Sequence, residues 1–232
     1  MQKTARYFTY PLLLGLLAVL TPDASFAEVA DTAPMVVAGQ FIEAQTTGSV
    51  WEAVYSFRWQ GQLVEISAEG RFSTRDGSRT VRHELTFSSD PEDWIEKLYV
   101  AEVQNDLVLI GEVGNEESGA GFVTRLARSG FSRRWLTSMP GFNVGNALLR
   151  ERYAYVSAIG FVGKLDLNTG RYAWQKKDLY SKNEAFNNFA TPFVEGTSIV
   201  FVGEGGTWPK NNEIVIDDLS GKILSFRTSA AR

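Results

Sequence analysis

The sequence predicts an all-β protein, a propeller-like stack of about four four-stranded antiparallel units, and three observations predict it. Gly111, Ser157 and Gly203 fall 46 residues apart twice over. Each closes the second of two short apolar strands, so that residues 98–111, 147–157 and 190–203 share one strand–turn–strand plan. Each plan then continues into a third strand, a tight turn and a fourth strand ending near an aromatic, at residues 122–135, 161–174 and 214–226. Equal spacing joined to equal pattern marks an internal repeat, and four strands in about 40–50 residues is the size of a propeller blade.

Taken in chain order, the first element is a leader. Lys3 and Arg6 precede an apolar run over residues 11–20, and Asp23-Ala-Ser-Phe-Ala27 places small residues for a cut after Ala27. Charge, apolar core and small-residue site in that order make a secretory signal peptide over residues 1–27. The run is shorter than the roughly 20 residues that span a bilayer. An uncleaved N-terminal anchor is the alternative, and with no cysteine after the run, lipid attachment there is excluded.

Removing Lys3, Arg6 and Asp23 takes the formal charge from −4 to about −5. Nucleic acid and anionic membrane both demand a dense basic surface, so neither is expected as a partner. Without cysteine there are no disulfides, thiol nucleophiles or thiolate metal sites. Stability must come from burial, which 12% aromatic content suits.

Residues 28–94 form a divergent N-terminal β segment. Residues 54–87 read as strands, with Asp76-Gly77 as a hairpin turn, and Thr47-Gly-Ser-Val-Trp51 imitates the turn-to-tryptophan element of the later repeats. Gly48 and Gly77 are too close for a full blade between them, so residues 35–89 are expected to make one divergent blade and a strand that helps close the ring. Residues 88–94 read as a turn or short helix start, with Pro91 early. Residues 95–232 carry the three repeats. Ser129-Gly130, Thr169-Gly170 and Ser220-Gly221 supply the positive-φ residue that short hairpins require. The aromatic that follows can pack between neighbouring sheets: Trp135, Trp174 and, in the last repeat, Phe226.

Asp166-Leu-Asn-Thr-Gly170 with Trp174 resembles the repeat of quinoprotein (PQQ)-like β-propellers, whose hairpin reads Asp-x-x-Thr-Gly before a terminal tryptophan. The flanking repeats match with Ser for Thr, and the likeness covers residues 95–232, a short and divergent member. It implies the scaffold. Quinoprotein dehydrogenases of this family use paired cysteines beside the cofactor and an acidic and amide calcium set, and neither pattern is found in this sequence. The resemblance therefore implies the fold without the redox chemistry, and no cofactor. A non-enzymatic relative is the periplasmic subunit of the outer-membrane β-barrel assembly machinery; this chain lacks its lipid-attachment cysteine.

Candidate chemistry is sparse. His83 is the only histidine, so a histidine metal cage is excluded, and no nucleophile elbow, phosphate loop or dinucleotide fingerprint is present. No catalytic and no metal-binding residue is assigned. Two long Gly-rich loops, residues 111–121 and 203–213, both begin Gly-Glu-x-Gly and are expected on one face, with Glu112, Glu204 and Trp208 near its rim. Two such carboxylates suit a cation or acid–base work; solvated loop acids are the plain alternative. Asn187 and Asn188, beside Phe186 and Phe189, mix amide and aromatic groups as sugar and peptide sites do, or else form an inter-blade link with buried rings. Arg133 and Arg134, with Arg125, Arg128, Arg150 and Arg152, offer a face for an acidic partner or a solvated strand face.

These readings converge on an exported non-enzymatic binding protein, periplasmic or secreted. A protein-interaction scaffold is expected, its partner another exported or envelope protein, and after cleavage it is no integral membrane protein. A small-ligand or glycan binder working through the loop face is the alternative; a metal-assisted hydrolase comes third.

Overall fold

The computed structural model describes residues 32–76, 79–87, 92–115, 118–205 and 211–228. The leader with its cut site and Trp208 lie outside them, as do residues 88–91. Within these residues the chain is all-β, with four antiparallel sheets stacked like propeller blades. Among them no helix is long and apolar enough to cross a membrane.

The first sheet orders β2 (Gln45–Thr47), β3 (Val54–Trp59), β4 (Gln62–Ser67), β5 (Arg71–Asp76) and β6 (Arg79–Glu84). The alternation of β3 sends Tyr55, Phe57 and Trp59 to one side, where they meet the second sheet in a shared core. That second sheet runs β1 (Ile42–Glu43), β7 (Trp94–Val103), β8 (Asp106–Gly114), β9 (Gly119–Leu126) and β10 (Arg133–Met139). β1 precedes the first sheet in sequence yet pairs with β7, through Ile42 with Val100 and Glu43 with Tyr99. Every residue of β8 is buried. Leu107 and Leu109 face the first sheet and Val108 and Ile110 face the third, which is why this strand reads as one apolar run rather than an alternation.

The third sheet holds β11 (Leu148–Arg150), β12 (Tyr153–Ala158), β13 (Phe161–Asp166) and β14 (Arg171–Lys176). The fourth holds β15 (Phe193–Glu195), β16 (Ser198–Val202), β17 (Glu213–Asp217) and β18 (Ile223–Arg227). Three apolar clusters join first to second, second to third and third to fourth sheet.

One joint recurs between sheets. Trp135 donates its indole N–H to the Leu167 carbonyl in the next hairpin, 3.2 Å away, and Trp174 does the same to Asp218, 2.9 Å away. Each ring lies on the glycine of that hairpin. A Cβ at Gly170 would come 2.6 Å from Trp135, and one at Gly221 2.5 Å from Trp174. Both glycines also hold φ near +70°, so two demands meet on one residue type. A cation stands beside each tryptophan: Arg125 bonds Leu167 and Asn168, and Lys164 bonds Asp218.

Register corrects two expectations. A bulge precedes each docked tryptophan, which pairs Trp135 with Arg125 and Trp174 with Lys164. The same bulge in the fourth sheet pairs Ser225 with Val215, so Ser225 and not Phe226 holds the tryptophan's place. Phe226 instead meets Phe186, centroids 6.1 Å apart. In the first sheet Gly48 does adopt positive φ, but Trp51 sits on a short 3₁₀ turn, 56% exposed, against Trp94 rather than docked between sheets.

Candidate functional site: the loop end of the sheets

Strand direction sorts the connections into two ends. Hairpins such as β7–β8 and β13–β14 lie at one end; the β8–β9, β12–β13 and β16–β17 links and the crossings between sheets lie at the other. Asp106 and Glu112 stand at opposite ends of β8, six residues or about 20 Å apart.

The hairpin end takes the arginines. Arg125 and Arg134 both bond Asp106 Oδ2, at 2.8 and 2.6 Å, and the Arg128 N–H bonds Oδ1. Burial would raise the Asp106 pKa; the hydrogen bonds from Arg134, Arg125 and Arg128 outweigh it and hold the carboxylate below its ordinary range. Arg133 donates to the Thr86 carbonyl. Arg150 pairs with Asp218 and Arg152 with Asp166. The expected basic face is therefore largely engaged in contacts within the protein. Arg133 and Arg134 sit at this end, away from the other candidates.

Those others meet at the loop end. Glu112 is not the rim acid the sequence suggested, for it is only 7% exposed, and its Oε2 accepts the Val144 N–H at 3.1 Å. A carboxylate that caps a neighbouring crossing is drawn inward with it. Glu204 is exposed, and its backbone N–H bonds the Asn188 carbonyl. Asn187 accepts from Asn143 at 3.0 Å, on the same crossing that Glu112 holds. Tyr99 records how near these groups lie. Burial, then Glu43, Glu112 and Glu204, push its phenol up to about 12. Phe186 and Phe189 are buried and stacked, 5.7 Å between centroids, so they are core and only the amides face the site.

Sequence reasoning missed Glu96. A bulge between Ile95 and Lys97 leaves it as the extra residue of β7, exposed at the strand's start. Burial first, and then Glu112, by charge and by a hydrogen bond between the two carboxyls, raise its pKa. The signal was faint: Ile95 and Leu98 both turn to one core, three residues apart where alternation would give two. Tyr55 feels the same pair; burial with Glu96 and Glu112 lifts its phenol to about 12 while it donates to the Ile95 carbonyl at 2.7 Å. Among the described residues no group of three or more His, Cys, Asp or Glu side chains is set to hold a metal ion.

A second feature of this end is a cleft of about 350 Å³ between the crossing after β10 and the one after β14. Pro140, Ile159 and Phe161 line it with Lys177, Asp178 and Tyr180. Nothing in the repeat pattern announced it, because it forms between connections rather than within a unit.

No family model and no curated protein matches the chain. Among solved structures it is similar to apo AztD from Citrobacter koseri, with 16% identity over 80% of this chain and 46% of that one, TM-score 0.44. It is similar to the quinohemoprotein alcohol dehydrogenase ADHIIG of Pseudomonas putida HK5, 12% identical over 75% of this chain and 34% of that one, TM-score 0.49. The quinohemoprotein alcohol dehydrogenase of Comamonas testosteroni gives 14% identity over 76% and 35%, TM-score 0.48. The chain spans less than half the length of each, and at these identities the likeness concerns the fold alone.

Proposed function

We propose that the protein is an exported, non-enzymatic binding protein, periplasmic or secreted, whose partner is another exported or envelope protein met at the loop end of the sheets. One observation carries the choice of end. The hairpin end turns its arginines onto Asp106, Asp166 and Asp218, whereas the loop end, which also holds Glu204 and Asn188, leaves Phe142 and Tyr180 about half exposed. Exposed aromatics among polar groups are the usual anchors of a protein contact. Export rests on the leader alone.

The carboxyl pair supports a structural rather than a catalytic use. Glu112 lies close enough to Glu96 to help raise its pKa, after burial. Their contact joins the β7 bulge to the Val144 crossing, which fits a frame.

Affinity capture from an exported-protein fraction tests the reading. Phe142→Ser with Glu204→Arg is expected to lose the partner at an unshifted melting temperature, and Arg133→Gln with Arg134→Gln to keep it. The opposite pattern would move the interface to the hairpin end. A ligand reading is favoured by one observation, the cleft beside Tyr180.

A further inference from the structure

The cleft between the two crossings is built rather than incidental. Leu179 is 1% exposed and anchors the segment after β14, and its N–H bonds the Gly160 carbonyl at 3.0 Å. Gly160 in turn donates to Phe186, and Ile159 to Phe142, both at 2.8 Å, so the wall is tied on two sides by backbone bonds. Gly160 approaches Tyr180 so closely that a Cβ there would stand 3.0 Å from the tyrosine Cβ; Gly141 does the same to Ile159, at 2.7 Å. Asp178 holds φ of +58°, in the left-handed region that Asp enters more readily than most side-chain-bearing residues.

The chemistry of the lining is specific. Pro140, Ile159 and Phe161 give an apolar floor. Lys177 and Asp178 stand exposed at the rim, and neither side chain has an ion pair or hydrogen bond among the described residues. An adjacent cation and anion over an apolar floor suit an occupant that carries both charges. The volume, about 350 Å³, is at the low end for small-molecule sites, which run from about 300 to 1,000 Å³. That is the scale of a single metabolite. A neutral sugar would leave both charges unanswered.

We propose that this cleft binds a free α-amino acid with an apolar or aromatic side chain. Lys177 takes the carboxylate, Asp178 the ammonium, and the side chain lies on Ile159 and Phe161 beside Tyr180. The proposal rests on the loop-end reading for where function lies, but it requires no protein partner.

Calorimetric titration of the purified chain with L-leucine and L-phenylalanine tests it. Saturable binding is expected, weakened at least about tenfold by Lys177→Gln and by Asp178→Asn, as for loss of one charge-assisted contact. Leucinamide, without the carboxylate, should bind more weakly than leucine and be indifferent to Lys177→Gln. N-acetyl-leucine, without the ammonium, should be indifferent to Asp178→Asn. Circular dichroism of both variants should match the parent, since these side chains support nothing else in the fold. Absence of heat with either amino acid up to about 10 mM, or binding untouched by both substitutions, overturns the proposal. Binding of glucose in place of the amino acids overturns it too, in favour of a saccharide site. Loss of partner capture by Phe142→Ser and Glu204→Arg with no amino-acid binding would remove the cleft and leave the loop-end interface standing.

Discussion

At the scale of single residues, the Glu96–Glu112 contact is the most sensitive point of the loop end. Burial first, and then the charge of Glu112 and a hydrogen bond to it, raise the Glu96 pKa above its ordinary 4.5. An acid whose pKa is raised by folding contributes stability that is fully present below its unfolded pKa. That contribution is lost as pH rises through the folded value. Charged Glu96 therefore weakens the fold near neutrality. Glu96→Gln, which keeps a donor and removes a charge, is expected to flatten the dependence of melting temperature on pH between about pH 4 and 7 and to raise it at the upper end. A profile parallel to the parent's would show that folding does not raise the Glu96 pKa. Asp106 has the opposite sign: its pKa is lowered, so its contribution holds above the ordinary carboxylate range and fails in acid. Neither behaviour was legible in sequence. Glu112 stood out there because its loop breaks the repeat, but its burial depends on Val144, 32 residues further on, and Glu96 depends on a bulge.

At the scale of elements, the tryptophan joint explains why the repeats could be read at all. Each hairpin carries halves of two successive joints, the glycine that receives the preceding tryptophan and the aromatic that docks on the next hairpin, and Gly170 and Gly221 are forced on their positions by positive φ and by the ring against them. Trp174→Ala should cost about 3–5 kcal/mol in denaturant melts, since the ring is 8% exposed and hydrogen-bonded. Gly221→Ala should also destabilise, through both its positive φ and its clash with the ring. In the Trp174→Ala background the clash is gone and only the φ strain remains. The two losses are therefore expected to sum to more than the double variant shows; strict additivity would mean the ring does not rest on Gly221. What the sequence could not supply was register. The pairing of Ser225 with Val215, not the presence of an aromatic nearby, decides what occupies the joint, and pairing is settled by the bulge.

At the scale of the molecule, the three clusters each join only consecutive sheets, so the interior is segmented. Phe57 belongs to the first cluster and Phe201 to the third, and both are fully buried. Alanine at either should cost about 3–5 kcal/mol. With no shared partner the two costs should add to within about 0.5 kcal/mol, measured by urea denaturation. Coupling well beyond that would mean strain passes through the whole stack. The order of sheets followed from the repeat, whereas β1 crossing into the second sheet did not. A strand of two residues carries too little pattern to name its neighbour.

The recurring tryptophan joints all sit in the hairpins, which makes the stack resemble a fan held at its rivet. A turn of about 5° between adjacent sheets moves little at the rivet, yet over roughly 20 Å of strand it displaces the far edge by roughly 2 Å. The cleft is on that far edge, and its walls come from the crossings on either side of the third sheet. Its width is thereby geared to the angles between sheets. A molecule that closed on Lys177 and Asp178 would change the splay of the sheets that flank the cleft, with Phe142 on the neighbouring crossing.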